Sequence, residues 1–331
     1  MKFTKYAGNP ILRPNPDTNW EELCVLNPAV WYEDGKFTML YRAAGNDVTH
    51  YIYLGLAEST DGFHFIRKSE HPVLSPDING ADGGCIEDPR IVKFGDTYYV
   101  TYAARTYPPG QYWKEHEPLY FPPEIGPHMV LQNNTTTHLA ITKDFQTFKK
   151  LGRITDSRLD NRDVVLFPEQ INGKYVMFSR PVEWVGEKYG CSIPSIWISF
   201  SEDLMEWDHH TLFATGCEWW EDKKLGASCP PIKTKDGWLF FYHGVSTKDN
   251  AYRVGAMLLD LNDPSIILKR TKDFLMEPEF DYETQGFYNG CVFPTGNVVK
   301  DGVLYVYYGA ADKFICVATC DLDELLNELK A

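Results

Sequence analysis

The sequence lacks three features that would assign the protein to a familiar class: a basic run, a Cys-x-x-Cys pair and a long apolar segment. Without a basic run, and with a net charge of -14 over 331 residues, nucleic-acid binding is not expected. No window approaches the length of a membrane span, and the opening residues MKFTKYAGNPIL contain no signal-peptide core. We therefore expect a cytoplasmic protein that contacts neither nucleic acid nor membrane.

The eight cysteines are scattered from Cys24 to Cys320, and none forms a Cys-x-x-Cys pair. Reduced and mostly buried thiols are the plain interpretation of such spacing in a cytoplasmic protein. We therefore expect no metal site.

Aromatic residues are abundant: they make up 15% of the chain, within a hydrophobic content of 44%. This content supports a packed core without metal or disulfide cross-links. Tyr and Trp favour β-strands, and their flat rings also suit sugar binding. Because most of these rings would pack inside any β-rich protein, composition alone gives only a hint of carbohydrate.

Five segments share one pattern. A proline or small polar residue is followed by an apolar pair, then by a short turn that ends in glycine, and then by an aromatic-rich strand. They span residues 27–43, 88–104, 166–181, 229–245 and 293–310. The turn glycines are Gly35, Gly95, Gly173, Gly237 and Gly302, at intervals of 60, 78, 64 and 65 residues. Because glycine accepts the positive φ of a tight turn, each segment predicts a β-hairpin.

A second apolar segment follows each hairpin, for example in residues 54–65 and 139–148. Two further strands per period of roughly 60 residues complete a four-stranded blade. A β-sandwich would not require this five-fold recurrence. The sequence therefore predicts an all-β fold, a five-bladed β-propeller that forms one catalytic domain over residues 1–331. Residues 321–330, DLDELLNELK, predict a short C-terminal helix.

The start of each repeat is where reactive side chains are expected, because the innermost strand of a propeller blade begins near the central axis. Asp88 lies at such a start, and Pro89 ends the upstream pairing so that the carboxyl is presented there. A single well-placed carboxyl with a raised pKa could serve as a general acid. The alternative is that Asp88 only caps a turn.

A second group consists of basic residues placed in apolar strand contexts: Arg162, Arg180, Lys224 and His243. Such residues are unfavourable in a core unless they meet an anion. Phosphate fits, because arginine binds its oxygens in a bidentate manner. The alternative is local pairing with the nearby carboxylates Glu169, Glu183, Glu221 and Asp222.

These residues fall within a set of motifs: N-P-A-V (27–30), E-D-P-R (87–90), R-D-x-x-L-F-P (162–168), S-R-P (179–181), K-x-G-A (224–227), Y-H-G-V (242–245) and Y-Y-G-A-A-D (307–312). The set resembles glycoside hydrolase family 130, the β-mannoside phosphorylases and their relatives, over almost the whole chain. The resemblance implies a five-bladed propeller and an inverting, single-displacement reaction.

The resemblance also implies residue roles. Asp88 would be the sole catalytic acid and would protonate the leaving oxygen through a hydroxyl of the mannosyl ring. Inorganic phosphate, the co-substrate of an enzyme without a cofactor, would be held by Arg162, Arg180, Lys224 and His243. The substrate-binding residues would be Asn27, Arg42, Glu87 and Asp312. Phosphate would attack the β-mannoside to give α-mannose 1-phosphate and a shortened acceptor.

The interval of 78 residues marks an insertion at 106–137, rich in Pro, Tyr and His. Long loops in compact domains are often functional, and we interpret this one as a lid or an acceptor-side wall. It leaves open the linkage, β-1,4 or β-1,2, and the acceptor sugar. An insertion of this kind can also make a subunit contact, so a homo-oligomer stays possible.

Three alternatives remain at this stage. A hydrolase on the same fold would use water in place of phosphate. A carbohydrate-binding propeller without catalysis would keep the aromatic surfaces but would not need Asp88 or the cations. An arabinanase or fructan hydrolase resembles this fold too, but those enzymes need three carboxylates, and the first blade carries Asn27 instead.

Overall fold

The computed structural model describes residues 2–114 and 133–331, and these residues form five antiparallel blades around a central axis. Blade 1 contains β2 (Cys24–Glu33), β3 (Lys36–Ala44), β4 (Ile52–Ser59) and β5 (Ile66–Arg67). Blade 2 contains β6 (Cys85–Phe94), β7 (Thr97–Arg105), β8 (Thr136–Thr142) and β9 (Phe148–Arg153). Blade 3 contains β10 (Asn161–Leu166), β11 (Tyr175–Pro181), β12 (Ile196–Ser201) and β13 (Asp208–Ala214).

Blade 4 contains β14 (Lys224–Ala227), β15 (Ile232–Thr234), β16 (Gly237–Val245), β17 (Tyr252–Leu259) and β18 (Ile267–Arg270). Blade 5 contains β19 (Val292–Lys300), β20 (Val303–Ala310), β21 (Phe314–Asp321) and, as its outer strand, β1 (Thr4–Lys5). Two short helices are α1 (Asp281–Thr284) and α2 (Leu322–Lys330). The predicted all-β, five-bladed fold is confirmed.

The ring is closed by pairing the first strand with the last. Lys5 of β1 aligns with Ala318 of β21, so the N-terminal residues complete the blade formed by the C-terminal ones. Lys5 Nζ also donates to Glu283 Oε2 at 2.8 Å and to the carbonyl of Glu277 at 2.6 Å. Closure of this kind covers the sheet edge that blade 5 would otherwise expose.

The hairpin turns are formed as the sequence predicts. In blade 1, Asp34 (φ 52°) and Gly35 (φ 76°) join β2 to β3, and in blade 5 Asp301 (φ 51°) and Gly302 (φ 79°) join β19 to β20. Positive φ at both central residues is the geometry of a type I′ turn, whose twist matches that of the flanking strands.

Aromatic side chains fill the space between blades. The Phe178 ring of blade 3 lies 4.6 Å from the Phe240 ring of blade 4, and both side chains are fully buried. The predicted C-terminal helix is confirmed as α2, which begins after Asp321, whose Oδ1 accepts from the Glu324 N–H at 2.9 Å. It buries Leu325 and other apolar side chains against blades 4 and 5.

The innermost strands of blades 1, 2 and 3 carry a bulge at the same position. The pairing register shifts between Leu26 and Ala29, between Glu87 and Arg90, and between Arg162 and Val165. The bulged residues Asn27, Asp88 and Asp163 have φ of 45°, 53° and 57°. Positive φ costs a non-glycine residue on the order of 1–3 kcal/mol, and such strain clusters at functional sites.

The insertion is described at its two ends, residues 106–114 and 133–137. The interpretation of its middle as a lid or wall concerns residues 115–132, which lie outside the described residues. No helix in the described part of the chain is long and apolar enough to cross a membrane.

Candidate active site

A cavity of about 250 Å³ lies beside the bulges of blades 1 and 2. Five of the predicted residues line it: Arg42, Glu87, Asp88, Arg162 and Asp312. The other lining residues are Ile52, Ala103, Arg105, Pro109, Tyr112 and Thr135. A larger groove of about 460 Å³ lies at the rim between β18 and α2 and contains none of the predicted site residues.

Asp88 is held from two sides. Asn27 Nδ2 donates to Asp88 Oδ1 at 2.7 Å, and Arg42 Nη1 donates to the same oxygen at 3.1 Å. Among the described residues Oδ2 accepts no hydrogen bond, and the side chain keeps 17% of its surface exposed. The carboxyl is therefore fixed through one oxygen, and the other is available to a ligand.

Arg90 stabilises the strained backbone at Asp88 through a hydrogen bond. Its Nη1 donates to the Asp88 carbonyl at 2.8 Å, and its Nε donates to the Ser228 carbonyl of blade 4 at 3.1 Å. Arg90 is buried, with 3% of its surface exposed. The contact ties the bulge of blade 2 to the opposite side of the axis, which keeps Asp88 in place.

Three carboxylates surround Arg42. Its Nη1 lies 2.7 Å from Glu87 Oε2 and 3.1 Å from Asp88 Oδ1. Burial raises the pKa of Asp312 to about 6, with Arg42 opposing the rise and Asp88 adding to it. Burial also acts to raise the pKa of Glu87, but Arg42 and Arg105 lower it on balance. The cavity can therefore hold one carboxyl charged and another partly protonated near neutral pH.

The basic residues lie on the blade 3 and blade 4 side. Arg162 binds Asp160 through two hydrogen bonds of 2.6 Å, and Arg180 Nε donates to Asp163 Oδ2 at 2.6 Å. Lys224 Nζ donates to the hydroxyl of Tyr252. Burial lowers the pKa of Lys224 to about 8, and the positive charges of Arg180 and Arg162 add to this effect. The cations repel one another, so an anion placed among them would be stabilised.

Four of the predicted site residues do not line the cavity: Asn27, Arg180, Lys224 and His243. His243 is the most deeply buried of the basic residues. Its Nε2 is 3.4 Å from Asp163 Oδ2, is buried, and makes no hydrogen bond within the described residues. Burial lowers the pKa of His243 to about 4, so the ring is neutral at pH 7. Gly226 makes room for this pair, because a Cβ there would lie 2.3 Å from Asp163 Oδ2.

The carboxylates expected to pair with these cations have other partners. Glu169 binds Lys233, Glu221 binds Arg270, and Glu183 accepts from the Asp160 N–H. Asp222 accepts from Thr247. The local pairing is instead made by Asp160 and Asp163.

Asp163 and Arg105 are site residues that the sequence analysis did not single out. Arg180 and His243 hold the pKa of Asp163 well below its usual range, although burial opposes them. Arg105 Nε donates to Thr135 Oγ1 at 3.0 Å and lies 4.0 Å from Glu87 Oε1. Asp163 precedes the third repeat segment, 166–181, and it shares with Asn27 and Asp88 only its position at the bulge of the innermost strand.

The described residues contain no group of three or more His, Cys, Asp or Glu side chains arranged to hold a metal ion.

Comparison with known proteins relates this site to a family. Residues 5–116 and 130–331 match a family model described as beta-1,4-mannooligosaccharide phosphorylase. A 1,2-beta-oligomannan phosphorylase of Thermoanaerobacter sp. (strain X514) is 37% identical over 98% of this chain and 99% of its own. A beta-1,2-mannobiose phosphorylase of the same organism is 35% identical, with the same coverage. The structure of a beta-1,2-mannobiose phosphorylase from Listeria innocua, bound to beta-1,2-mannobiose, has a TM-score of 0.81 at 29% identity and covers 100% of this chain and 99% of that one.

Proposed function

The chain belongs to glycoside hydrolase family 130, and we propose that it catalyses the phosphorolysis of β-mannosides. The products are α-mannose 1-phosphate and a shortened mannoside. The observation that carries the proposal is the Asp88 carboxyl, whose Oδ2 accepts no hydrogen bond from a described residue, in a cavity that it shares with Arg162, one of several cations that repel one another. Inverting hydrolases need a second carboxylate to activate water, whereas phosphate arrives ionised and needs only to be positioned.

Asp88 is the catalytic acid in this proposal. Asn27 and Arg42 occupy its Oδ1, so that Oδ2 supplies the proton for the departing sugar oxygen, passed through a hydroxyl of the mannosyl ring. Arg42 of blade 1, Glu87 of blade 2 and Asp312 of blade 5 bind the mannosyl unit. Asn27 contacts the mannosyl unit and also donates a hydrogen bond to Asp88.

Phosphate is held by Arg162, Arg180, Lys224 and His243. The first three supply positive charge, and the buried Nε2 of neutral His243 supplies a donor that has no hydrogen bond of its own. An anion bound there relieves the repulsion that lowers the pKa of Lys224. Phosphate then attacks the anomeric carbon on the face opposite the leaving oxygen, which inverts the configuration from β to α.

The linkage we propose is β-1,2. Relatives that share 37% and 35% of their residues with this chain over nearly its full length are named for β-1,2-linked substrates. The description of the matched family names a β-1,4 activity instead, so a β-1,4-linked mannoside is the natural competitor. Because a sugar phosphate is useful only where it is retained, a cytoplasmic location fits this activity.

The test is to incubate the enzyme with β-1,2-mannobiose or β-1,4-mannobiose, with and without phosphate. We expect α-mannose 1-phosphate from the β-1,2 disaccharide and no product when phosphate is omitted. Free mannose formed at the same rate without phosphate would identify a hydrolase. A higher kcat/KM for the β-1,4 disaccharide would overturn the linkage and leave the reaction type standing.

A further inference from the structure

Residues 106–114 leave blade 2 after β7 and lie across blade 1; we call this segment the strap. The Gly110 N–H donates to the carbonyl of Thr49 at 3.0 Å, and Gln111 Nε2 donates to the carbonyl of Asn46 at 3.2 Å. Thr49 and Asn46 belong to the loop between β3 and β4. The strap is therefore attached to a blade other than the one from which it emerges.

Aromatic contacts connect the strap to blade 5. The centroid of the Trp113 ring lies 4.5 Å from that of His50 and 5.3 Å from that of Phe287. His50 is buried, with 2% of its surface exposed. At the other end of the strap, Tyr107 and Asn133 exchange two hydrogen bonds of 3.0 and 2.9 Å. Contacts at both ends thus fix the position of the residues between them.

Tyr112 lies within this fixed segment and lines the catalytic cavity. Tyr112 is 49% exposed as a whole residue, and its hydroxyl makes no hydrogen bond to another described residue. Burial raises the pKa of this hydroxyl to about 12, and the charged groups that act most strongly on it are Arg42, which lowers the pKa, and Asp312, which raises it. A hydroxyl without a hydrogen bond to a described residue, beside these two residues, is a donor and acceptor available to a polar ligand.

We propose that Tyr112 contacts the mannosyl unit that phosphate attacks. Its hydroxyl bonds to a hydroxyl of that sugar, and its ring covers an apolar patch of the pyranose. The inference rests on the proposed function, because it takes Arg42 and Asp312 as mannosyl-binding residues. It assigns one residue of the insertion to the mannosyl side of the site, whereas the sequence suggested a lid or an acceptor-side wall.

The test separates the two sugars by running the reaction in the synthetic direction. The KM for α-mannose 1-phosphate and the KM for the acceptor mannose are measured for the wild type, Tyr112→Phe and Tyr112→Ala. Tyr189→Phe is the matched control, because Tyr189 lies in the loop between β11 and β12 and does not line the cavity. We expect Tyr112→Phe to raise the KM for α-mannose 1-phosphate about 3- to 10-fold, the effect of one lost hydrogen bond.

The acceptor KM should stay within about twofold in both Tyr112 variants, and Tyr112→Ala should show the larger loss. A rise in the acceptor KM alone, or no change in either, overturns the inference. A wild type that shows no synthesis refutes the proposed function separately. In that case the role of Tyr112 is tested by calorimetric titration with methyl β-mannoside. Weaker binding by Tyr112→Ala than by the wild type supports a mannosyl contact, and equal affinity overturns it.

Discussion

Phosphate affinity should fall as the pH rises through about 8, because Lys224 then loses its proton. Burial disfavours the charged form of this lysine, and Arg180 and Arg162 disfavour it further, which together lower its pKa to about 8. Bound phosphate favours the charged form, so the effect concerns the free enzyme. Its sign is fixed: protonated Lys224 binds phosphate and neutral Lys224 does not attract it.

The magnitude follows from that pKa. With a pKa of about 8, roughly nine-tenths of Lys224 is protonated at pH 7 and roughly one-tenth at pH 9. The titration of Lys224 alone should therefore raise the Kd for phosphate about tenfold between these two pH values if only the protonated form binds, and the measured rise should lie between this value and no change. Phosphate becomes more fully dianionic over the same range, which works in the opposite direction and cannot produce the rise.

The assay is calorimetric titration of phosphate at several pH values, together with the KM for phosphate in phosphorolysis. Lys224→Arg should bind phosphate with little pH dependence, because arginine stays charged throughout. Lys223→Arg is the matched control, since Lys223 is exposed and bonded to Asn250, and it should keep the wild-type pH dependence. A pH-independent Kd in the wild type, or the same pH dependence in Lys224→Arg, would refute the role of Lys224.

Three further changes test the rest of the site. Asp88→Asn should lower kcat by on the order of 10²–10⁴ while circular dichroism and the melting temperature stay near wild type, and near-normal turnover would remove Asp88 from the mechanism. Arg180→Ala should raise the KM for phosphate about 10- to 150-fold and leave the KM for the disaccharide unchanged. An unchanged KM for phosphate would show that Arg180 pairs only with Asp163. Asp163→Asn should reduce the free energy of unfolding, measured by denaturant titration, by about 3–5 kcal/mol, because Arg180 is left buried without its charged partner. An unchanged free energy of unfolding would show that the pair is solvated.

The fold could be predicted because its signals are local and repeated. Each hairpin turn is encoded by neighbouring residues, as at Asp34 and Gly35, and the recurrence at similar intervals gives the number of blades. The C-terminal helix was predictable for the same reason, since Asp321 supplies its cap directly before an amphipathic segment.

The site was predictable in part. Asp88, Arg42 and Asp312 come from three blades and line one cavity, as expected from their positions at strand ends near the axis. The pairing of Arg180 with Asp163 was not predictable, because it depends on a bulge that turns Asp163 toward the axis. Nor could sequence spacing reveal Tyr112, which reaches the cavity only because the strap lies on blade 1.

The most direct test of the central claim is to run the reaction backwards. The enzyme is given α-mannose 1-phosphate and mannose, and the released phosphate and any new disaccharide are quantified together. A glycosyl phosphate and a glycoside lie close in free energy, so a site that holds phosphate and excludes water should form the β-mannoside from them. We predict one β-1,2-linked mannobiose for each phosphate released. Phosphate released without disaccharide would show that water is the acceptor and would contradict phosphorolysis.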